Sequence, residues 1–227
     1  MKFKKLKSEK EPIMSTYSEH FYEIIRTGAS SSADTVAPLV ADIFQPSSVV
    51  DIGCGEGHWA KAFEDLGCDV TGVDGSYVKS PVIDNFISAN LEKEFPKFDK
   101  KFDLAVSLEV AEHLSPERAE DFADYYCSLS DNLMFSAAIK GQGGVHHVNE
   151  QWHPFWLEKF AKRGFKFQTG ALRWIIWDVA SVEWWYKQNL FILTKSIDGL
   201  SDEAQELFLK DSGPTNLVHP ILWESRQ

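Results

Sequence analysis

The first fifty residues carry apolar positions at helical spacing. Within residues 17–27 this spacing predicts a helix, and Gly28 follows where a helix commonly stops. A second apolar series covers residues 36–44 and is preceded by three serines, 30–32, that can cap a helix start. Two N-terminal helices separated at Gly28 are therefore predicted.

Beyond residue 46, short apolar runs alternate with amphipathic segments. The runs are typical of buried strands, and the segments at 58–66, 116–129 and 152–163 predict helices. The predicted strands cover residues 48–53, 69–74, 85–91, 102–110, 132–138, 165–170 and 189–195. Since no clear helix pattern separates the last two strands, we expect a hairpin there. The predicted fold is α/β, a Rossmann-like, doubly wound, mostly parallel seven-stranded sheet that ends in an antiparallel hairpin.

Length and composition favour a single domain. The chain has 227 residues, of which 44% are hydrophobic and 13% aromatic, enough for one well-buried core. We expect a disordered or frayed tail at 1–14, one domain with N-terminal covering helices at 15–197, and an extension with one helix at 198–227.

Charge and cysteine content limit the class of partner. The formal net charge is −11, and so acidic a surface repels phosphate backbones, so no nucleic-acid partner is expected. Three scattered cysteines do not suit a disulfide framework or a zinc cluster, and they fit a reducing, cytoplasmic location. Neither a signal peptide nor a membrane-spanning run is predicted, so no membrane partner is expected. A homodimer is left open.

The strongest chemical signal is the strand-to-helix junction VVDIGCGEG at 49–57. Alternate glycines let the backbone turn tightly and approach a ligand, and the next helix directs free N–H groups at it. The residues of this loop are Gly53, Cys54, Gly55 and Gly57. Asp51 can accept a hydrogen bond from a ligand ammonium or from loop amides. Asp74 ends the next strand, where a carboxylate can hold a ribose diol.

A dinucleotide is the main rival ligand for this loop. Its fingerprint also pairs a glycine loop with an acidic residue about 20 positions later. The third small residue of that fingerprint falls at position 58, where this chain has His58. Because a bulky side chain there obstructs the packing of helix on strand, a dinucleotide fits poorly.

The loop and Asp74 resemble the class I S-adenosylmethionine-dependent methyltransferases, and the resemblance extends over residues 30–195. It implies S-adenosylmethionine as cofactor, with the methionine end on the glycine loop and the ribose hydroxyls on Asp74. It also implies that Asn90 meets the adenine amino group and that Leu91 packs on the ring. The family usually has an acidic residue where this chain has Asn90.

The segment SLEVAEHL at 107–114 is similar to its counterpart in small-molecule O-methyltransferases of that family. The resemblance implies that Leu108 and Glu109 line the methionine moiety, with His113 nearby. For Glu112 and His113, an exposed, partly capped helix start is as good an explanation as a role in the site. The Asn/Asp-Pro-Pro-aromatic tetrad of amino-methylating nucleic-acid enzymes is not present at this point.

A polar loop after the fifth predicted strand, at 141–152, is the expected acceptor side. A hydroxyl acceptor must be positioned and lose its proton, and histidine titrates near neutral pH. The candidates are His147 and then His146 as base, Glu150 to orient the ring, and Asn149 and Gln151 for acceptor hydroxyls. The same residues also fit a cap, at Asn149, for the helix near Trp152. Two histidines and a glutamate can bind a metal, but adjacent histidines point in different directions unless the loop bends, so no metal is predicted.

Tryptophans crowd the stretch between the last two predicted strands. Such residues usually belong to a core, but they can also stack on a sugar or an aromatic ring. Trp177 is the expected stacking residue, and Arg173 is the expected partner of an anionic group. The segments at 28–33, 147–156 and 182–189 resemble bacterial methyltransferases of surface-polysaccharide biosynthesis, which implies a saccharide or nucleotide-sugar hydroxyl as small-molecule acceptor.

Two other functions stay open at this point. One is a non-catalytic nucleotide-binding module of the same fold, and the other is a nicotinamide-dependent oxidoreductase. The residues also leave open whether oxygen, nitrogen or carbon is methylated.

Overall fold

The computed structural model describes residues 19–210 and 213–227, and the surroundings of side chains from residue 27 onward. The tail predicted at 1–14 lies outside these residues. The described strands are β1 (Ser48–Ile52), β2 (Asp69–Asp74), β3 (Phe86–Ser88), β4 (Leu104–Leu108), β5 (Asn132–Ser136), β6 (Phe167–Thr169) and β7 (Phe191–Thr194).

These strands form one sheet in the order β3–β2–β1–β4–β5–β7–β6. The pairs among β1 to β5 are parallel, whereas β7 runs antiparallel to both β5 and β6. The predicted fold class is therefore confirmed, including the antiparallel pair at the edge. Because the strand order reverses between β1 and β4, the carboxyl ends of these strands border a crevice.

Helices cover both faces of the sheet. They are α1 (Glu19–Phe44), α2 (His58–Asp65), α3 (Ala119–Leu129), α4 (His153–Lys162), α5 (Ala171–Ile176), α6 (Trp184–Asn189), α7 (Asp202–Leu209) and α8 (Pro220–Glu224), with short 3-10 helices at Ala111–His113 and Pro116–Arg118. One core packs α1, α2 and α5 to α7 on the sheet, and the other packs α3 and α4. None of the described helices is both long and apolar enough to cross a bilayer.

The central strands read as continuous apolar runs because both of their faces are covered. In β1, Val49 belongs to one core, while Val50 and Ile52 belong to the other. All three side chains are fully buried. This two-sided burial is the physical reason that the strand pattern was visible in the sequence.

The prediction of two helices separated at Gly28 is wrong, because α1 runs through this residue. A Cβ at Gly28 would lie 2.3 Å from Oε1 of Glu183, so the glycine permits close packing within a helix. The hydroxyl of Ser32 donates to the Gly28 carbonyl oxygen at 2.6 Å, and that of Ser31 to the Ser181 carbonyl oxygen at 2.8 Å. The serines bond to neighbouring carbonyls and do not cap a helix start.

The connection between the last two strands also differs from the prediction. They pair as expected, with Thr169 opposite Ile192, but α5 and α6 lie between them in the chain. The last four residues of α6 are all buried, including Lys187 and Gln188. A helix buried in this way has no alternation of apolar and polar faces, so its sequence gives no helical pattern.

Candidate active site

The glycine loop leaves β1 at the crevice. Gly53 and Gly55 have φ values of 79° and 57°, in the left-handed region that side chains disfavour. A Cβ at Gly53 would lie 2.3 Å from a methyl carbon of Val110, whereas a Cβ at Gly55 would meet no described atom within 4 Å. Packing therefore requires Gly53, while Gly55 faces open space that a ligand can enter.

The N-terminus of α2 follows the loop directly. Gly57 is its N-terminal cap residue, and no described side chain caps the first turn. The free N–H groups there favour a polar or anionic group.

Cys54 is half-buried, and burial raises the pKa of its thiol, so the thiol stays neutral. Beside the loop, His58 and α1 border a cavity of about 330 Å³, lined by Thr27, Ser30, Ser31, Asp34 and His58.

Asp74, at the end of β2, holds the loop by its carboxylate. Its Oδ2 accepts a hydrogen bond from the Gly55 N–H at 2.6 Å, and its Oδ1 accepts one from the Gly75 N–H at 2.5 Å. The hydroxyl of Tyr77 also donates to Oδ1. The carboxylate is buried and fully engaged, which fixes the position of Gly55.

Asp51, inside β1, is the second carboxyl group of this half of the crevice. It is 2% exposed, and its Oδ2 has no hydrogen-bond partner among the described residues. Burial, and then the charge of Asp74, raise the pKa of Asp51 to about 8. A ligand ammonium would supply both the missing partner and a compensating charge.

The end of β3 lies beside Asp74, since Asp74 pairs with Ser88. Asn90 follows, is exposed, and accepts a hydrogen bond at Oδ1 from the Glu92 N–H at 3.1 Å. Leu91 is buried, with 8% of its surface exposed. The contacts of Asn90 and Leu91 with adenine stay predictions.

Glu109 follows β4 and is the centre of a network of side-chain amides. Its carboxylate accepts hydrogen bonds from Gln142 Nε2 at 3.0 Å and from Asn189 Nδ2 at 3.1 and 3.2 Å. Burial raises the pKa of Glu109, and these hydrogen bonds oppose the rise. Its φ is 55°, which is unusual for this residue type and common at functional sites. Leu108, the preceding residue, is buried at the end of β4.

The loop after β5 places an imidazole beside a carboxylate. His147 Nδ1 lies 2.9 Å from Glu150 Oε1. Glu150 also accepts hydrogen bonds from the N–H groups of Gly141 at 2.8 Å and Gly143 at 2.6 Å. Burial acts to raise the pKa of Glu150, but these hydrogen bonds together outweigh it and lower the pKa. Glu150 is thus a carboxylate that fixes the orientation of His147.

Glu112 and His113 lie opposite, in the 3-10 helix after β4. Glu112 is fully buried, and neither of its carboxylate oxygens has a hydrogen-bond partner in the described chain. Its backbone carbonyl accepts the N–H groups of Val148 and Asn149 at 2.9 Å, which holds the loop against it. The rings of His113 and His147 meet edge to face with centroids 4.8 Å apart. The alternative interpretation, that Glu112 belongs to an exposed helix start, is therefore wrong.

With this geometry in place, a family model described as a methyltransferase domain matches residues 24–179 of the chain. The chain belongs to this methyltransferase family. The match confirms the S-adenosylmethionine-dependent methyltransferase class, and with it S-adenosylmethionine as the cofactor. No protein of curated function is significantly similar to the chain.

Solved structures share the fold of this methyltransferase at low identity. A protein from Nostoc punctiforme, provisionally assigned as an O-methyltransferase, has a TM-score of 0.56 and 12% identity, with 77% of this chain and 59% of that chain covered. Magnesium protoporphyrin IX methyltransferase from Synechocystis, solved with bound S-adenosylmethionine, has a TM-score of 0.53, 20% identity and coverages of 80% and 86%. DesVI from Streptomyces venezuelae has a TM-score of 0.55, 12% identity and coverages of 80% and 100%. The chain thus spans less than two thirds of the Nostoc protein.

The prediction that Arg173 meets an anionic acceptor group is wrong. Its side chain is fully buried. The guanidinium donates to the carbonyl oxygens of Gly170, Gln188, Pro214 and Thr215 at 3.2, 3.3, 3.1 and 2.9 Å. Burial lowers the pKa of Arg173 to about 10. In this methyltransferase Arg173 fastens the C-terminal segment to α5 and α6.

The remaining predicted acceptor residues lie in different surroundings. Asn149 is buried and accepts a hydrogen bond from Gln151 Nε2 at 3.0 Å, and it is not a helix cap because Trp152 precedes α4. His146 is exposed, with a φ of 59°. Trp177 packs between Trp174 and His219, with ring centroids 5.5 and 4.8 Å away. Their contacts with an acceptor stay predictions.

Several residues at the crevice were missed by sequence reasoning. Tyr77 donates to Asp74, and Gln142 and Asn189 hold Glu109. Glu109 and Asn189 are 80 positions apart, so no local pattern connects them. For Tyr77 the only available signal was its position three residues after Asp74.

Proposed function

We propose that this methyltransferase transfers a methyl group to a hydroxyl of a small polar acceptor, of the saccharide or nucleotide-sugar class. One observation carries the proposal. The imidazole of His147 is held by the carboxylate of Glu150 at 2.9 Å, on the loop that follows β5 at the crevice. His113 lies near the glycine loop, because its backbone N–H donates to the Val110 carbonyl oxygen at 2.9 Å and the Val110 side chain packs on Gly53.

On the cofactor half, each part of S-adenosylmethionine has a suitable group. The cofactor ammonium would bind the unpartnered oxygen of Asp51, and the amino-acid end would lie on the open side of Gly55. The ribose hydroxyls would bind Asp74. Two of the donors to Asp74 are backbone N–H groups, while the third, the hydroxyl of Tyr77, belongs to a largely exposed side chain that can move away.

On the acceptor half, His147 would act as the general base. The ring nitrogen that faces away from Glu150 would take the hydroxyl proton. When bound, S-adenosylmethionine would supply the methyl group to the hydroxyl oxygen, with its sulfur keeping the electron pair of the bond that breaks. Glu150 stabilises the imidazolium that forms, because its pKa is held below the usual range.

The aromatic row beside the amide network supports a saccharide acceptor. Trp174, Trp177, His219 and Trp184 follow one another with ring centroids 4.8 to 6.2 Å apart. The row joins the network of Glu109, because the backbone N–H of His219 donates to Oε1 of Gln188, whose Nε2 donates to Oε1 of Gln142. Aromatic faces beside fixed amides suit the apolar faces and hydroxyls of a sugar ring. The resemblance to surface-polysaccharide enzymes agrees with this acceptor.

The cellular setting is part of the proposal. All three cysteines are unpaired, which supports the cytoplasm as the location. In that compartment nucleotide sugars are available as acceptors for polysaccharide biosynthesis.

The experiment that tests the function has two parts. First, the melting temperature is measured with S-adenosylmethionine, S-adenosylhomocysteine and NAD, and we expect a rise with the first two alone. Second, methyl-labelled S-adenosylmethionine is incubated with monosaccharides, nucleotide sugars and polyols, and the product is examined for a methyl ether. A rise with NAD alone would indicate the oxidoreductase. A cofactor-induced rise without transfer to any acceptor class would indicate a non-catalytic module.

A further inference from the structure

The structure assigns Glu112, His113 and His147 to a binding site for one divalent first-row transition-metal cation. We propose that this cation holds the oxygens of the acceptor, and this use of it rests on the function proposed above. The site itself does not depend on that function. The sequence predicted no metal, on the assumption that His146 and His147 would have to share it.

Proximity is the first argument for the site. Each of the three residues offers one ligand atom, and these atoms all lie within 4.8 Å of one another. Metal–ligand bonds of about 2.0–2.2 Å place such atoms about 3–4 Å apart, so small side-chain rotations would close the site. One carboxylate and two imidazoles are ligands that zinc, cobalt, manganese and ferrous iron accept, whereas magnesium prefers oxygen ligands alone.

The unpartnered carboxyl group of Glu112 is the second argument. It is fully buried, and both oxygens lack a partner in the described chain. Burying a polar group without hydrogen bonds costs free energy, and a bound water or ion commonly partners such a group. The neighbouring acids differ, since Glu109 is held by Gln142 and Asn189, and Glu150 by two backbone N–H groups and His147. Among Glu109, Glu112 and Glu150, only Glu112 has a carboxyl group without a hydrogen-bond partner in the described chain, and a bound cation would provide that partner.

The orientation of the two imidazoles is the third argument. Glu150 accepts the Nδ1 proton of His147, which leaves the lone pair on Nε2 free. One ring nitrogen of His113 lies within 4.8 Å of the ligand atoms of Glu112 and His147. Metal-bound histidines are held in this way by an acceptor on the other nitrogen. Gly144 lets the loop backbone approach the His147 ring closely, because a Cβ there would lie 2.3 Å from Nε2.

Three protein ligands leave coordination positions open, as in catalytic metal sites. Two neighbouring hydroxyls of a saccharide could fill them. A bound cation makes a hydroxyl more acidic, so its proton can pass to solvent while the oxygen takes the methyl group and the sulfur keeps the bonding electron pair. The cation would then replace His147 as the activating group, because one lone pair cannot bind both a cation and a proton.

The test begins with cation binding by the full chain, freed of metal with a chelator and without cofactor. Titration with Co²⁺, followed by calorimetry and visible absorption, should show one ion bound per chain. Glu112→Gln and, separately, His113→Asn should each weaken binding about 100-fold or more. Glu117→Gln is the matched control, since Glu117 is exposed and lies on the next 3-10 helix, and it should bind as the parent does.

Each outcome decides a stated point. Absence of binding at millimolar Co²⁺, or binding that both variants leave unchanged, overturns the site. If Glu112→Gln fails to fold, His113→Asn still tests the site, because His113 is exposed and its replacement leaves the core intact. With an active acceptor, removal of the ion should abolish transfer and Co²⁺ should restore it, whereas full activity without the ion overturns its role in the reaction. Absence of transfer to every acceptor contradicts the proposed function and leaves the binding result intact.

Discussion

The two halves of the crevice are built from different parts of the chain. On the half formed by β1 and β2, backbone N–H groups of Gly55 and Gly75 satisfy Asp74. On the half formed by β4 and β5, side-chain amides from distant segments hold Glu109, and the carboxyl group of Glu112 has no partner in the described residues. The first half is a backbone cradle with one unpartnered oxygen, on Asp51, and the second is a side-chain network in which both oxygens of Glu112 are unpartnered.

This difference indicates where each kind of substitution should act. Changes on the cofactor half alter the affinity for a ligand that the backbone already fits. Changes on the acceptor half alter the chemical step, because groups there are positioned by one another. Variants that separate affinity from turnover therefore test whether the halves are independent.

The largest expected effect is on the acceptor half. His147→Ala should lower kcat by about 100-fold or more, because it removes the general base or, where the cation is bound, one ligand of that cation, and it should leave cofactor affinity nearly intact. Initial rates and calorimetry with S-adenosylhomocysteine measure the two quantities. His146→Ala is the matched comparison, and it should lower kcat less, because His146 is exposed. A fully active His147→Ala enzyme would remove His147 from the chemical step.

On the cofactor half, Asp74→Ala should have the next largest effect. Loss of two charge-assisted hydrogen bonds to the ribose should weaken cofactor binding by about 2–4 kcal/mol, or roughly 30- to 1000-fold. Calorimetry with S-adenosylhomocysteine measures the change, with the exposed Asp84→Ala as control. Unchanged affinity in Asp74→Ala would refute the ribose assignment. A loss of kcat with unchanged affinity would show that the halves are not independent.

The same comparison explains what the sequence could predict. The cofactor half is local in sequence, since Asp51, the glycines and Asp74 all fall within residues 51–74, on strands buried on both faces. Both the fold and this half of the site could therefore be predicted from the pattern of apolar runs and glycines.

The contacts of the half formed by β4 and β5 could not be predicted in the same way, although the resemblance did assign Glu109 to the cofactor. These contacts join residues far apart, such as Glu109 and Asn189, 80 positions apart, and Arg173 and Thr215, 42 positions apart. The sequence analysis assigned Arg173 to an anionic ligand, whereas the side chain is buried and donates to backbone carbonyls that include those of Pro214 and Thr215. The helix α6 was missed because its buried side chains show no polar face, and α5 was missed because its exposed residues, Trp174 and Ile175, are apolar.

Tyr77 provides a smaller and opposite effect on the cofactor half. Its hydroxyl donates to the carboxylate of Asp74 that the ribose should bind, so it must leave when the cofactor enters. Tyr77→Phe should therefore tighten binding by about 1 kcal/mol, or roughly fivefold, since the free protein loses a hydrogen bond that the complex does not contain. The exposed Tyr77 ring itself is retained, which makes Phe the matched substitution. Weaker binding in this variant would show that the hydroxyl contacts the cofactor.

The smallest expected effect is the pH dependence of cofactor binding, which Asp51 on the cofactor half should control. The pKa of Asp51 in the free protein is about 8, against an ordinary value of 3.8. A cofactor ammonium favours the carboxylate, so binding should release a proton, and affinity should rise with pH as long as the cofactor amino group, with a pKa near 8, stays protonated. Between pH 6.5 and 7 the ionised fraction of Asp51 rises from about 3% to about 9%, which predicts about a threefold gain in affinity.

Calorimetry in two buffers of different ionisation enthalpy measures this release directly. At pH 7 and below most of one proton should leave per cofactor bound, and the number should fall as pH rises towards 8, where Asp51 ionises in the free protein and the cofactor amino group begins to lose its proton. The other acidic groups near Asp51 are Asp74, Cys54, Tyr126 and Tyr186, and the raised pKa values of the thiol and the two phenols keep these three protonated in this range. Asp51→Asn should abolish the release while the backbone loop still binds the rest of the cofactor. Release that persists in Asp51→Asn would mean that another group on this half meets the ammonium, and the unpartnered oxygen of Asp51 would then need a different ligand.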